Sequence, residues 1–392
     1  MNIAIMIPAL GGGGAERAAV LLGDYYYQKG HRVYFFLAKT HIKTRYTPNG
    51  EIVKTGIDLQ FSENDTDVAV FMKLLKASFV IRKLKFKYKI HIAISYMEVF
   101  NYINILSYQG EKNIVSIRTV LSERTDLADP VYRAKFIKFF YPKSHCIVAV
   151  SKYAKKDLVN SYSIKPGRVC SIPNALEELE YDMEKNWQYG NETVIAVGRL
   201  DPVKQQEYII RAFSYVAERN ETANLLILGE GVRRRYLESL CVKYGLEKRV
   251  FFLGFRKNIG YFLAHSKLFV MSSKTEGFPN SMIEAMSFGL PVISTDSPGG
   301  ITEIIGKQEN ISITDISFQK YGILVPYMTG KVREDDLEEK EIVFGKTMLK
   351  LLEDDRLYQK YRMRSFKRAD DYSVDQVMKQ WDHLIFGKHR IF

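Results

Sequence analysis

Apolar residues along this chain fall into short unbroken runs, and between the runs they recur every three or four positions. A short continuous apolar run bounded by turn residues predicts a strand buried on both faces, and the helical period predicts an amphipathic helix. Asn2–Ile7 is such a run. A glycine tract follows it, then a helix-periodic stretch over Ala15–Lys29 that Gly30 stops, then a second apolar run at Arg32–Leu37. Strand, helix and strand in that order form the unit of a parallel sheet. Further strands are predicted at Ile92–Ser95, Asn113–Ile117 and His145–Val150. A second series starts at Thr193–Val197 and continues through Leu225–Leu228, Val250–Leu253, Leu268–Met271 and Pro291–Ser294. Helical stretches separate them at Gln206–Arg219, Arg233–Tyr244, Asn258–Ala264 and Ser281–Phe288.

The prediction is therefore an α/β protein of two Rossmann-like, doubly wound domains, residues 1–173 and 192–372, with the polar stretch Asn174–Asn191 as linker. A last helix, Val374–Phe386, follows a break at Asp370–Ser373, and the segment 373–392 is expected to pack back on the first domain. The length of 392 residues agrees, being too great for one ordinary core.

Composition adds an anionic partner to this picture. Lys and Arg number 57 against 45 Asp and Glu, a net charge of +12. Such an excess favours nucleic acid, a phosphorylated ligand or an acidic membrane surface. The basic residues are dispersed and no nucleic-acid module is recognisable, so nucleic acid is not expected as a partner. The three cysteines, Cys146, Cys170 and Cys241, are widely spaced and show no metal-ligand spacing, which fits a reducing cytoplasm. Met1–Pro8 lacks a basic leader and reads as a first strand. No apolar run reaches the length of about 18 residues that a membrane-crossing helix needs, so membrane contact is expected to be peripheral.

Candidate chemistry concentrates after strands of the second domain, where open parallel sheets bind ligands. Gly198-Arg199-Leu200-Asp201-Pro202-Val203-Lys204 follows the first of them. Arg199 offers a planar fork and Lys204 a mobile point charge, and together they can hold one diphosphate. Both can equally be solvated loop charges. Gly229-Glu230-Gly231 permits close backbone approach to a ligand, although a simple turn explains it as well. The most informative element is Thr275-Glu276-Gly277-Phe278-Pro279-Asn280-Ser281-Met282-Ile283-Glu284. Ser281 and Glu284 have the spacing of a capping box, a structural explanation for Glu284. The same junction offers N–H groups at a helix start, a cradle for phosphate. Glu276 has no capping role.

These residues, with Gly289-Leu290-Pro291-Val292-Ile293-Ser294-Thr295 after them, resemble the retaining glycosyltransferases of family 4, which have the GT-B fold. The likeness extends over essentially the whole chain and is strongest from Val194 to Ile305. It implies two Rossmann-like domains facing each other across a cleft. It implies that Arg199 and Lys204 neutralise the donor diphosphate, and that Glu276 contacts the donor sugar. Glu284 would hydrogen-bond the ribose. The backbone at Asn280, Ser281 and Met282 would bind phosphate and sugar, and that at Phe255 and Arg256 would edge the base. Gly198 and Glu230 join the donor set. Gly14 belongs to a glycine loop, Gly11–Gly14, that would face the donor from the first domain. No cofactor and no metal is implied, only a nucleotide-sugar co-substrate, with a UDP-sugar the first expectation. Asp65-Thr66-Asp67 matches a metal-binding Asp-x-Asp pattern but lies before a helix, where N-capping explains it better.

In the first domain, many family members carry a histidine where this chain has Ser116-Ile117-Arg118, so Arg118 is the candidate acceptor or phosphate contact. On a helix over Val68–Lys89, Lys73, Lys76, Lys83 and Lys87 fall within an arc of roughly 80°, with Val80 inside it. That stripe suits an anionic lipid headgroup or lipid diphosphate, and Phe100, Tyr102 and Tyr108 are candidates for the same surface. Arg233-Arg234-Arg235 reads as a solvated helix start. The expectation is an enzyme that moves a hexose or N-acetylhexosamine from UDP-galactose, UDP-N-acetylgalactosamine or a similar donor. Its acceptor would be a polyprenyl-diphosphate-linked glycan at the inner face of a membrane. A soluble transferase acting on a small sugar or sugar phosphate and a catalytically silent carbohydrate-binding scaffold are the alternatives.

Overall fold

The computed structural model describes residues 1–39, 42, 44–58, 60–62, 64–124, 133–179, 181, 187–307, 311–329 and 336–387. Two compact units result, Met1–Ala175 with Val377–Phe392, and Leu176–Gln376. Of the expected linker, positions 180 and 182–186 lie outside the described residues.

The first unit runs β1 (Asn2–Ile7), α1 (Gly14–Gln28), β2 (Arg32–Leu37), β3 (Glu51–Lys54), α2 (Asp67–Lys87), β4 (Ile92–Tyr96), α3 (Glu98–Leu106), β5 (Lys112–Ile117), α4 (Ala134–Phe140), β6 (Cys146–Ala149), α5 (Lys152–Tyr162) and β7 (Val169–Ser171). The strands form one seven-stranded sheet in the order β3-β2-β1-β4-β5-β6-β7, all parallel. Helices cover both faces of such a sheet, so strands such as β4 are buried throughout. The order reverses between β1 and β4.

The second unit contains β8 (Thr193–Val197), α6 (Gln206–Ala217), β9 (Asn224–Leu228), α7 (Arg234–Lys243), β10 (Val250–Gly254), α8 (Ile259–Ala264), β11 (Leu268–Met271), α9 (Asn280–Ser287), β12 (Val292–Thr295), α10 (Gly300–Ile305), β13 (Ser317–Phe318), β14 (Ile323–Val325), α11 (Glu339–Glu353) and α12 (Asp355–Asp370). Its sheet has the order β10-β9-β8-β11-β12-β14-β13, parallel except for the β13–β14 pair. Here the reversal falls between β8 and β11. Arg211, fully buried on α6, is neutralised by Glu341 of α11 through Nε at 2.6 Å and Nη2 at 2.9 Å.

The last helix, α13 (Val374–Phe386), has its later turns in the first unit. Asp382 accepts from Tyr25 Oη at 2.8 Å and Lys29 Nζ at 2.6 Å. Lys112 Nζ donates to the carbonyls of Leu384 and Ile385, and Trp381 is buried.

Several segments differ from the sequence expectation. The aromatic side chains Phe100 and Tyr102 are buried, because α3 packs between α2 and the sheet, and the Tyr102 ring meets Phe136 and Phe140. They belong to the core, not to a membrane surface. Tyr108 is exposed and packs beside His145. Lys85, on the face opposite the lysine stripe, is fully buried and pairs with Glu111 at 2.6 Å. Burial pulls its amine down to about 8, and Glu111 opposes the shift. Thr66 caps α2 by accepting from Ala69 N–H, while Asp65 pairs with Lys73, and Asp67 with Arg133 and Lys135.

Candidate active site

In the second unit the candidate residues meet at the carboxyl ends of the two strands that flank the sheet reversal. β8 delivers the loop from Gly198 to Lys204, and β11 delivers Ser272 to Glu276. The Lys204 ammonium pairs with Glu276 Oε1, which also accepts from Ser273 Oγ at 2.7 Å. The two loops are joined by Lys274 N–H, which donates to Val203 O at 2.7 Å, and by Ser272 Oγ, which donates to Gln205 O at 2.7 Å. An opposite charge and a hydroxyl donor therefore hold the Glu276 carboxylate in place. Arg199 lies at the rim, 79% exposed, 3.0 Å from Asp201. Arg199 is thus the exposed cation, and Lys204 the more buried one.

Glycines make this floor possible by letting loops touch one another. A Cβ on Gly229, whose φ is +140°, would come within 1.9 Å of Gly198 O, and one on Gly231 within 2.2 Å of Leu200 O. Both glycines let their loop lie directly against the β8 loop. Glu276 is backed in the same way. Gly299, at φ +121°, would place a Cβ 1.7 Å from Glu276 O, and Gly300 N–H donates to that carbonyl at 3.0 Å. The tract from Glu276 through Pro298-Gly299-Gly300 already resembles family members that use UDP-hexoses or UDP-N-acetylhexosamines, and the structure adds that Gly299 and Gly300 lie against the Glu276 backbone.

The helix start beyond Glu276 also differs. Pro279 is the N-cap of α9, with no side-chain cap hydrogen bond, so Ser281 is a helical residue and makes no capping box with Glu284. The helix begins at Asn280, directly after the proline and one position before the serine. Met282 N–H donates to Pro279 O at 3.1 Å. Glu284 is buried, while Asn280 and Ser281 are half-buried. At the far side of the floor, Glu230 is exposed and pairs with Arg234 at 3.0 Å. Phe255 and Arg256 are exposed beyond β10. Arg233 pairs with Glu207, whose carboxyl is raised by burial, and Arg234 spans Glu230 and Glu238. Of the three arginines expected in solvent, only Arg235 is exposed.

In the first unit, Gly14 opens α1 after Gly13, which caps it without a side-chain hydrogen bond. Glu16 folds over Gly13, and Arg45 lies against Gly12. Sequence gave no indication of Arg45, which a loop brings back through its N–H to Leu10 O at 2.8 Å. Arg118 follows β5, with Nη1 3.1 Å from Asn174 Oδ1 and Nη2 3.4 Å from Tyr96 Oη. The lysine stripe of α2 is only partly open. Lys76, Lys83 and Lys87 are exposed, but Lys73 is half-buried, held by Asp65 at 2.6 Å and Gln60 O at 3.0 Å. Lys73, Lys76 and Val80 border a groove of about 550 Å³ whose other wall is Ile57, Asp58 and Gln60.

Two family models account for most of the chain. The one for Glycosyltransferase Family 4 matches residues 12–178, and the one for glycosyl transferases group 1 matches 178–319. The chain belongs to the family 4 glycosyltransferases and is a glycosyltransferase of GT-B fold. It is 29% identical to a Campylobacter jejuni transferase over 98% of this chain and 100% of that protein. The relative is named N-acetylgalactosamine-N,N'-diacetylbacillosaminyl-diphospho-undecaprenol 4-alpha-N-acetylgalactosaminyltransferase. An uncharacterized glycosyltransferase of Methanocaldococcus jannaschii is 34% identical over 64% of this chain. That match spans 65% of the archaeal protein, just under two thirds of its length. Among solved structures, sucrose-phosphate synthase from Thermosynechococcus elongatus superposes with a TM-score of 0.77 at 18% identity, over 98% of both chains. Anabaena Alr3699/HepE in complex with UDP and glucose gives 0.71 at 16% identity, over 98% of this chain and 99% of that one. At such identities the likeness shows the fold.

Proposed function

We propose that the protein transfers a hexose or N-acetylhexosamine, with retention, from a UDP-sugar to a lipid-linked glycan at the inner face of a membrane. The observation that carries the donor half is the Lys204–Glu276 pair at the β8/β11 reversal, a cation for the diphosphate beside a carboxylate for the sugar. As the bond from the anomeric carbon to the diphosphate breaks, negative charge grows on the leaving oxygen. Lys204, Arg199 and the start of α9 stabilise that charge without a metal. Lys204 exchanges Glu276 for the diphosphate, and Glu276 is released towards the sugar hydroxyls. Glu284 takes the ribose, and the turn at Phe255–Arg256 edges the base. The acceptor hydroxyl adds to the anomeric carbon on the face the diphosphate leaves, and its proton passes to the departing diphosphate oxygen. The Campylobacter relative's name, with its diphospho-undecaprenol acceptor, supports the lipid-linked half. The UDP held by Anabaena HepE supports the choice of nucleotide.

The outer face of α2 supports a membrane location. Val68, Met72, Phe79 and Phe86 are all exposed, Phe86 by 79%, and share an arc of roughly 40°. Lys76, Lys83 and Lys87 flank the ridge on one side and Arg82 on the other. An apolar ridge between cations suits an anionic bilayer surface. Among the described residues no helix is long and apolar enough to cross a membrane.

A thermal-shift panel of UDP-, GDP- and ADP-sugars tests the donor. Binding to the native state raises the transition temperature, so UDP-sugars should raise it in the wild type and fail to in Lys204→Ala. A chain that responds to none of the three nucleotides is not the proposed enzyme.

A further inference from the structure

We propose that Arg118, fixed by Tyr96 and Asn174 at the carboxyl end of the first unit's sheet, is a receptor for a phosphate or diphosphate oxyanion of the acceptor. The proposal rests on the transferase reading and adds to it a site for the acceptor's charged group. Its ground is an unbalanced charge. The fully buried cations Lys85 and Arg211 are neutralised by Glu111 and Glu341. Arg118 is half-buried, yet among the described residues no carboxylate pairs with it. Its guanidinium lies 4.9 Å from the centre of the Tyr96 ring, and its two terminal nitrogens donate to Tyr96 Oη and Asn174 Oδ1. Nε is buried without a hydrogen-bond partner. Tyr96 and Asn174 are themselves buried, so they orient the fork without cancelling its charge. A half-buried guanidinium held only by neutral groups is open to an oxyanion, which it can bind through two parallel hydrogen bonds.

Backbone strain marks the same place. Met97, immediately after Tyr96, has φ +67° and ψ +146°, a conformation suited to glycine, and it turns the chain directly into α3. A side chain with a Cβ is strained there. The Met97 side chain is 39% exposed, so its own burial does not explain the strain. What the turn achieves is to end β4 with Tyr96 beneath Arg118, next to the β1/β4 reversal where parallel sheets bind ligands.

The experiment is calorimetric titration of the full chain carrying Lys204→Ala, which silences the donor diphosphate site. The probes are inorganic pyrophosphate, farnesyl diphosphate and farnesol. Both diphosphates should bind and farnesol should not. Adding Arg118→Gln should weaken both diphosphates by about tenfold or more, the loss of a charge-assisted pair. Tyr96→Phe, which keeps the ring and its packing, should weaken them by a smaller factor and covers the case in which Arg118→Gln does not fold. A preference for farnesyl diphosphate assigns the oxyanion to a lipid acceptor, and equal affinities assign it to a soluble phosphate. Binding untouched by Arg118→Gln and Tyr96→Phe, or absent once Lys204 is removed, overturns the proposal. The nucleotide thermal shift measured on Arg118→Gln alone should persist, so a failure here is distinguishable from a failure of the donor assignment.

Discussion

At the scale of single residues, the donor assignment rests on how few groups Glu276 touches. Its carboxylate has one cation and one hydroxyl, Lys204 and Ser273, and its backbone has Gly299 behind it. Glu276→Ala and Lys204→Ala should therefore abolish sugar transfer while the fold survives, checked by a transfer assay beside circular dichroism. Ordinary turnover in both variants would remove the site assignment. Gly299→Ala should act on the same carboxylate from the rear. The new Cβ collides with the Glu276 carbonyl and meets a left-handed φ, so activity should fall at least as steeply as stability. Glu284 calls for a different comparison. Because Pro279 caps α9, Glu284→Gln leaves the helix start intact, and donor KM should rise with little change in melting temperature. Arg199, Lys204 and Glu276 were legible in the sequence because residue type and strand-end position suffice to nominate a charge. Ser273 was not, since a serine gains its meaning only from what it touches.

At the scale of elements, α2 shows where periodicity works and where it fails. Its approximate extent and a cap within Asp65–Asp67 follow from sequence, but one lysine of the expected stripe, Lys73, is tied to Asp65, and Lys85 lies in the core. Helical spacing tells which residues share a face without telling which face is inside. The Lys85–Glu111 pair also makes α2 sensitive to a single change. Lys85→Met should cost roughly 3–5 kcal/mol in denaturant unfolding, because Glu111 is left charged and buried, and Lys85→Met with Glu111→Gln should recover much of that loss. If the single and double variants are equally unstable, packing and not charge accounts for the loss. β3 was missed altogether, because its Glu51–Lys54 run is charged at both ends and buries only Val53, whereas the equally short β11 is an unbroken apolar run. The aromatic pair Phe100 and Tyr102 was misplaced for a related reason. A helix buried on nearly all sides offers no polar face to set its orientation.

For the whole molecule, the membrane reading has its own test. Flotation with vesicles rich in anionic lipid should carry the wild type upward at low salt and less at high salt. Phe79→Ser with Phe86→Ser should reduce flotation at both, since the apolar ridge is not screened. If flotation is absent at every salt concentration, the acceptor reading shifts to a soluble substrate. The sequence by itself determined the two-unit α/β architecture, because buried parallel strands must be continuous apolar runs and the helices between them must be amphipathic. It also determined the family, through residues clustered between Gly198 and Thr295. Only the tertiary structure decided which charges are spent on each other. Lys85 on Glu111, Lys73 on Asp65 and Arg233 on Glu207 are consumed within the fold, while Arg118 is held by neutral partners and keeps its charge. Charge pairing joins residues far apart in the chain, and its sign balance is fixed only when the sheet has brought them together.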